Sequence, residues 1–178
     1  MAYSRRLVYT VGYGGRRLSE LVEILELNHV EVVVDVRRWN KSKLLDFSGN
    51  NLERVLGERG ISYLWVPVLG GYRKFGVDTD DLGIAKCFKS EGFRAYATYI
   101  TTRKDVKPHL DKLVEIALQK TTAILCKEKY PWLCHRKILS DYLVAKGFTV
   151  LHILEKNKVV EHELSSCAAV KNGELFYT

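Results

Sequence analysis

The chain has 178 residues, 47% hydrophobic and 28% charged, with three Trp, ten Tyr and six Phe. That apolar content needs a buried core and excludes a disordered chain, while runs no longer than Val32-Val33-Val34 or Ala123-Ile124-Leu125-Cys126 exclude a transmembrane helix. Lys and Arg exceed Asp and Glu by 7, a balance that permits contact with phosphates without requiring it.

The first residues, Met1-Ala2-Tyr3-Ser4-Arg5-Arg6, contain no apolar signal core, so the expectation is a cytoplasmic protein with no membrane attachment. Residues 6–11 read as a strand, stopped by Gly12-Tyr13-Gly14-Gly15. Leu18, Leu21, Val22 and Leu25 then recur at helical spacing. Residues 30–36 form the clearest strand, and their near-continuous valines call for burial on both faces, as in a parallel sheet. Asn50-Asn51 reads as the cap of a short helix through Leu52, Val55 and Leu56, ended by Gly60. A third strand over 61–66 stops at Pro67, and a looser stretch follows to about residue 92. Two helices are predicted over 93–102 and 106–119, the second with Leu110, Leu113, Val114 and Leu118 on one face. Thr122–Cys126 is a fourth strand. After a loop, a helix through Ile138, Leu139, Tyr142 and Leu143 reaches Gly147, and residues 148–154 are a fifth strand. Asn172-Gly173, between Val170 and Leu175, marks a hairpin. Strands alternating with helices predict an α/β fold: a single domain over 1–178, with a mostly parallel sheet of about five strands flanked by helices and a C-terminal hairpin.

Four cysteines, Cys87, Cys126, Cys134 and Cys167, are too few and too scattered for a disulfide framework. One Gln and one Met hint at a thermophilic source, in which a lone intracellular disulfide is admissible.

Open parallel sheets bind ligands outside the carboxyl ends of their strands. The segments that follow the first four predicted strands, 12–17, 37–43, 67–76 and 126–137, hold 12 of the 28 Lys and Arg and one acid, Glu128. The ligand implied is an anion, a phosphate or a nucleic-acid backbone. Gly12 and Gly14 leave the first strand and Gly70-Gly71 the third, where a backbone turn can cradle an anion beside Arg73. Neither a dinucleotide fingerprint nor a phosphate-binding G-x-x-x-x-G-K-[ST] loop is present. Turn formation alone also accounts for these glycines.

The segment from Leu125 to Arg136 is the sharpest. It places Cys126 at a strand end, Glu128 two residues on, and Cys134-His135-Arg136 where a helix begins. A thiol at a helix N-terminus beside cations is a better nucleophile, Glu128 can serve as general acid or base, and Arg136 can clamp an anion. Asp35 and Arg37 lie two apart, on one side of their strand end, as a base and an anion ligand. Each has a plainer reading: Cys126 as a small core hydrophobe, His135 as a helix cap, Glu128 in a salt-bridge cluster. A phosphatase-type C-x5-R loop fails, because Trp132 and Ser140 stand six residues after the two cysteines. Cys126, Glu128, Cys134 and His135 could together hold a metal, but C-x-E-x5-C-H is not a standard zinc spacing, so no metal and no cofactor is assigned. Tyr13, Trp39, Tyr72, Phe75, Tyr130 and Trp132 crowd the same rim, where aromatics beside cations suit base stacking.

Taken together, Thr10-Val11-Gly12-Tyr13-Gly14, Val34-Asp35-Val36-Arg37, Leu69-Gly70-Gly71-Tyr72-Arg73, Gly92-Phe93-Arg94-Ala95-Tyr96-Ala97, Leu125-Cys126-Lys127-Glu128 through Pro131, Cys134-His135-Arg136 and Val150-Leu151-His152-Ile153 resemble the DUF488 family of small proteins of unknown function. The resemblance covers about residues 7–154 and leaves 155–178 unassigned. It implies a compact α/β domain and brings no reaction with it. The family's first motif usually reads Gly-His-Ser or similar, so in this chain any role for a histidine or serine there is absent unless the Tyr13 hydroxyl substitutes as donor.

The expectation is an enzyme acting on a phosphate-bearing substrate, a nucleotide or nucleic acid. Cys126 or Cys134 would be the nucleophile, Glu128 or Asp35 the acid/base, and His135 part of the same centre. Gly12, Tyr13, Gly14, Arg37, Gly70, Gly71, Arg73 and Arg136 would bind the anion. Replacing Arg37 or Arg136 by Ala is expected to weaken anion binding without unfolding. The alternative is a non-catalytic nucleic-acid-binding domain using the same rim. Oligomeric state and the role of the tail are left open.

Overall fold

A computed structural model describes residues 6–178; the reading of residues 1–5 lies outside it. The chain runs β1 (Leu7–Gly12), α1 (Leu18–Leu27), β2 (Val32–Asp35), α2 (Gly49–Glu58), β3 (Ser62–Trp65), α3 (Glu91–Thr102) and α4 (Lys107–Gln119). It continues through β4 (Thr122–Cys126), α5 (Arg136–Ala145), β5 (Thr149–Glu155), β6 (Lys158–Glu161), β7 (Ala168–Lys171) and β8 (Glu174–Tyr177). No helix among the described residues is long and apolar enough to cross a membrane.

The predicted α/β architecture is the one observed. Six strands form one sheet in the order β3-β2-β4-β1-β5-β6. The first five are mutually parallel, and β6 returns antiparallel to β5. β7 and β8 make the separate hairpin, turning at Asn172 and Gly173, both at positive φ (52° and 75°), as a two-residue hairpin loop requires. The four residues of β2 and the five of β4 are all buried, which is why their sequences read as continuous apolar runs. Asn50 and Asn51 lie inside α2 rather than capping it; Ser48 holds the position before the helix, and its hydroxyl bonds Ser42 instead.

Strand alternation sorts the core into two layers. Val33, Ala123, Leu125, Val11 and Ile153 pack with Leu21, Val22, Ile24 and Leu25 of α1 and with Leu52 and Leu56 of α2. Val8, Val32, Val34, Val36, Ile124 and Cys126 pack with α3, α4 and α5 on the other side. Each fully buried aliphatic side chain in these layers contributes about 1.5–3 kcal/mol.

The crossover from β1 leads past β4 to β2, whereas that from β4 leads past β1 to β5. The chain therefore diverges between β1 and β4, whose ends meet at the Gly12–Cys126 pair. This is the topological switch point, where an open α/β sheet leaves a crevice.

The tail is tied to the body by Leu175 and Tyr177 in the core and by covalent and polar links. A Cys87–Cys167 disulfide joins it to the loop before α3, a pairing across 80 residues. Asp141 of α5, wholly buried, accepts hydrogen bonds from the Tyr177 hydroxyl (2.7 Å), the Ser165 N–H (3.0 Å) and His162 Nε2 (2.8 Å).

Candidate functional site

At the end of β4 and the start of α5, Cys126, Cys134 and His135 come together. All three are buried, and their donor atoms lie within 4.8 Å of one another. His135 Nδ1 is 3.6 Å from Cys134 Sγ and 3.9 Å from Cys126 Sγ. Its other nitrogen, Nε2, donates to the Val36 carbonyl at 2.8 Å. A carbonyl only accepts, so the ring proton sits on Nε2 and the Nδ1 lone pair faces the two sulfurs. The ring is held on two further sides, by the edge of Tyr96 (centroids 4.9 Å apart) and by Gly71, where an added Cβ would lie 2.8 Å from Nδ1.

Burial alone would raise the Cys134 thiol. Its hydrogen bond with Cys126, the Arg136 guanidinium and the Arg136 N–H (3.5 Å from Sγ) outweigh that effect and set it below its ordinary value. The same bond, with burial added, pushes Cys126 well up. Arg136 is 1% exposed, and its Nε and Nη1 have no partner among the described residues. Its Nη2 donates to the Glu128 carbonyl at 2.8 Å and so fixes the loop after β4.

Above the cluster lies a cavity of about 200 Å³, lined by Cys126, Cys134 and His135, the aromatic rings of Tyr72, Phe93 and Tyr96, and Glu128. That is less than the roughly 300–1,000 Å³ of pockets that enclose a whole drug-sized ligand, and suits one planar ring or a small head group. The Glu128 side chain has no hydrogen-bond or ion-pair partner among the described residues. Tyr72, 70% exposed and in the left-handed region (φ 59°), stands at the mouth. The Lys137 ammonium sits 3.9 Å from the Phe93 ring centroid, on the ring's face.

The remaining predicted site residues lie elsewhere. Asp35 and Arg37 are on one side of β2, as their spacing requires, but that is the α1/α2 side, opposite Cys126. Arg37 Nε donates to Asp35 at 2.9 Å and 3.1 Å, and Nη2 at 2.7 Å. Its Nη1 bonds the Phe47 carbonyl (2.8 Å) and the Tyr13 hydroxyl (3.4 Å), and the Tyr63 hydroxyl also donates to Asp35. Tyr13 is itself buried and stacked on Phe47, so its hydroxyl accepts from Arg37 and does not face the cavity. Arg73 closes its own loop through the Gly70, Pro67 and Val68 carbonyls and Asp78, with its guanidinium over Tyr99. Neither arginine is free to clamp a ligand.

The glycines do not cradle a ligand either. A Cβ on Gly12 would lie 1.8 Å from the Glu128 carbonyl oxygen, on Gly14 2.8 Å from that of Lys127, and on Gly70 2.4 Å from the Arg38 backbone. The Tyr13 and Gly14 N–H groups are already donated to the Cys126 and Lys127 carbonyls, at 3.1 Å and 2.7 Å. These positions lack side chains so that the loops at the strand ends can pack on one another.

Sequence reasoning missed the α3 wall, Phe93 and Tyr96, because it collected only residues that follow strands. The signal was in Gly92-Phe93-Arg94-Ala95-Tyr96-Ala97, a segment that matters for a helix face and not for a strand end.

The chain is thus a doubly wound α/β protein in which two thiols and an imidazole converge under a ring-sized cavity at the end of β4. Residues 17–143 match the family described as Domain of unknown function DUF488, and the chain belongs to that family. No curated protein and no solved structure matches the chain.

Proposed function

We propose that the protein is an enzyme acting on a small phosphate-bearing substrate of the nucleotide class, with Cys126, Cys134 and His135 as its reacting centre. The observation that carries this is the convergence of these three groups on the wall of a cavity at the end of β4, beside α3. Tyr72, Phe93 and Tyr96 line it as aromatic neighbours for a planar ring, and Glu128 is the carboxylate beside it that is free to act as acid or base. With Arg37 and Arg73 engaged, the phosphate falls to Lys137, whose ammonium lies over the Phe93 ring of the cavity wall.

Melting measured against nucleotides, nucleosides and inorganic phosphate tests this. Nucleotides are expected to raise the midpoint more than either part alone, by the mass action of a ligand that binds only the folded state. Lys137→Ala should weaken that rise, and Glu128→Gln should slow turnover of whichever nucleotide binds. A panel in which no phosphate-bearing compound moves the midpoint contradicts the reading.

One observation favours the second reading, a nucleic-acid-binding module. Trp39 and Tyr72 stand together with Arg38 over the Trp39 ring, and Tyr130 is stacked on Trp132 (centroids 4.9 Å apart) beside Lys129. Such pairs suit stacked bases. Single-strand binding with a steep salt dependence, about −0.7 in log-log slope per phosphate contacted, and no turnover would select it.

A further inference from the structure

We infer that Cys126, Cys134 and His135 form a three-ligand site for one Zn²⁺, its fourth position open to the cavity. This deepens the enzyme reading and rests on the same cluster. Zinc bound by thiolate sulfur at about 2.3 Å and imidazole nitrogen at about 2.0–2.1 Å in a tetrahedron requires sulfur–nitrogen separations of about 3.6 Å. The two sulfur–nitrogen separations present are 3.6 Å and 3.9 Å and all three donor atoms lie within 4.8 Å of one another, so closing on a metal, with its two sulfurs about 3.8 Å apart, asks for a shift of at most about 1 Å.

The imidazole is already prepared as a ligand. Its Nε2–H is anchored on the Val36 carbonyl, the partner a zinc-bound histidine ordinarily has, and this leaves Nδ1 aimed at the sulfurs. Gly71 and Tyr96 prevent the ring from turning away. Cys134 at the start of α5 receives the Arg136 N–H, and the buried Arg136 guanidinium has no carboxylate in ion-pair contact among the described residues. A cation so placed favours thiolates, the form in which cysteine binds metal. Two thiolates and an imidazole select zinc over magnesium or calcium, which take oxygen ligands.

No fourth His, Cys, Asp or Glu joins the group among the described residues. Three protein ligands with an open position distinguish catalytic zinc from structural zinc, which is enclosed by four. Here the open side is the cavity, so the metal would face the substrate and a bound water, with Glu128 on the same wall. In this arrangement the thiols are ligands and not nucleophiles. The sequence grouped these three residues but gave no standard zinc spacing, because the ligands come from a strand end and a helix start whose approach only the fold shows.

The test is the metal content and thiol reactivity of the reduced full-length chain. After dialysis the protein is expected to retain about one zinc per chain. Stoichiometric zinc added to metal-stripped protein should slow the reaction of Cys126 and Cys134 with a thiol reagent. Cys126→Ser, Cys134→Ser and His135→Gln should each lower zinc affinity by about tenfold or more, while Cys87→Ser, remote from the cluster, retains the metal. A wild-type chain that holds no zinc, and whose two thiols react equally fast with and without it, overturns the inference whether or not the variants fold. Zinc retained in a protein that responds to no nucleotide keeps the metal site and removes the nucleotide reading. A nucleotide response in a chain that takes no metal does the reverse.

Discussion

Gly71 lacks a side chain because the His135 ring occupies the space one would fill. Gly71→Ala is expected to displace the imidazole, costing about 1–3 kcal/mol in overpacking and the bound zinc with it. Denaturant unfolding and metal analysis read the two effects, and an alanine variant that keeps both would remove the claim that Gly71 positions the ring. Arg37 carries the opposite lesson. With Arg37 removed, Asp35 (0% exposed) is left as a buried, unpaired carboxylate, and breaking such a pair costs about 3–5 kcal/mol. Arg37→Ala should therefore unfold in much less urea than the wild type. Normal unfolding combined with lost phosphate binding would restore the clamp role read from the sequence. What separates Asp35 from Cys126 is the parity of two neighbouring strands. Spacing within one strand was legible, but the register that sets opposite faces was not, because it depends on pairing between distant segments.

Among the elements, the tail beyond Glu155 shows how local pattern and long-range contact differ in legibility. The β7–β8 hairpin was readable from Asn172-Gly173, since its two positive φ angles are a local demand. β6 was not, for its four residues are all exposed and carry no burial pattern. The Cys87–Cys167 link was not readable either, because nothing in the chain marks partners 80 residues apart. Closing a loop of that length stabilises the fold by about 4 kcal/mol in the chain-entropy account. Reduction, or Cys167→Ser, should lower unfolding stability by up to that amount, and an unchanged midpoint would mean that the Asp141 contacts and the packing of Leu175 and Tyr177 hold the tail without it.

Those contacts continue into the sheet as a chain of donors. His162 Nε2–H donates to Asp141, leaving its Nδ1 to accept from His152 Nε2–H (2.9 Å); His152 Nδ1 then accepts from the Thr10 hydroxyl at 2.6 Å. A second proton on His152 Nδ1 would reverse the Thr10 bond and leave the hydroxyl's own proton without this acceptor. Burial, with His162 and Arg136 adding to it, pushes His152 down to about 3, against about 6.5 for an unfolded chain. Between these values the unfolded state binds a proton that the folded state does not. The contribution of His152 to stability is thus full above pH 6.5 and is lost as the pH falls toward 3. Urea midpoints should fall over that interval in the wild type and less steeply in His152→Asn; parallel profiles would contradict the assignment.

At the scale of the whole molecule, the alternation of strands and helices was enough to place the carboxyl edge, and with it Cys126, Cys134, His135 and Glu128. Their assembly needed two things a linear reading does not contain: the loop after β3 and the end of β2 meeting His135 through Gly71 and the Val36 carbonyl, and α3 folding back to supply Phe93 and Tyr96. The cations gathered at that edge proved to have different duties. Arg37, Arg73 and Arg136 hold loops in place, while the lysines remain at the surface. The fold thus uses its arginines, with their fixed fork of donors, to lock the strand ends against one another, and leaves the cavity to thiols, an imidazole, a carboxylate and aromatic faces.

The central claim is that substrate and metal meet at this one cluster. Cobalt substitution followed by titration with nucleotides tests it most directly, since Co²⁺ bound by thiolates absorbs in the near ultraviolet and its visible bands respond to the fourth ligand. The account predicts thiolate–cobalt absorption in the wild type and a saturable change in the visible bands as a nucleotide is added. Absence of thiolate–cobalt absorption, or bands that no phosphate-bearing compound perturbs, would contradict it.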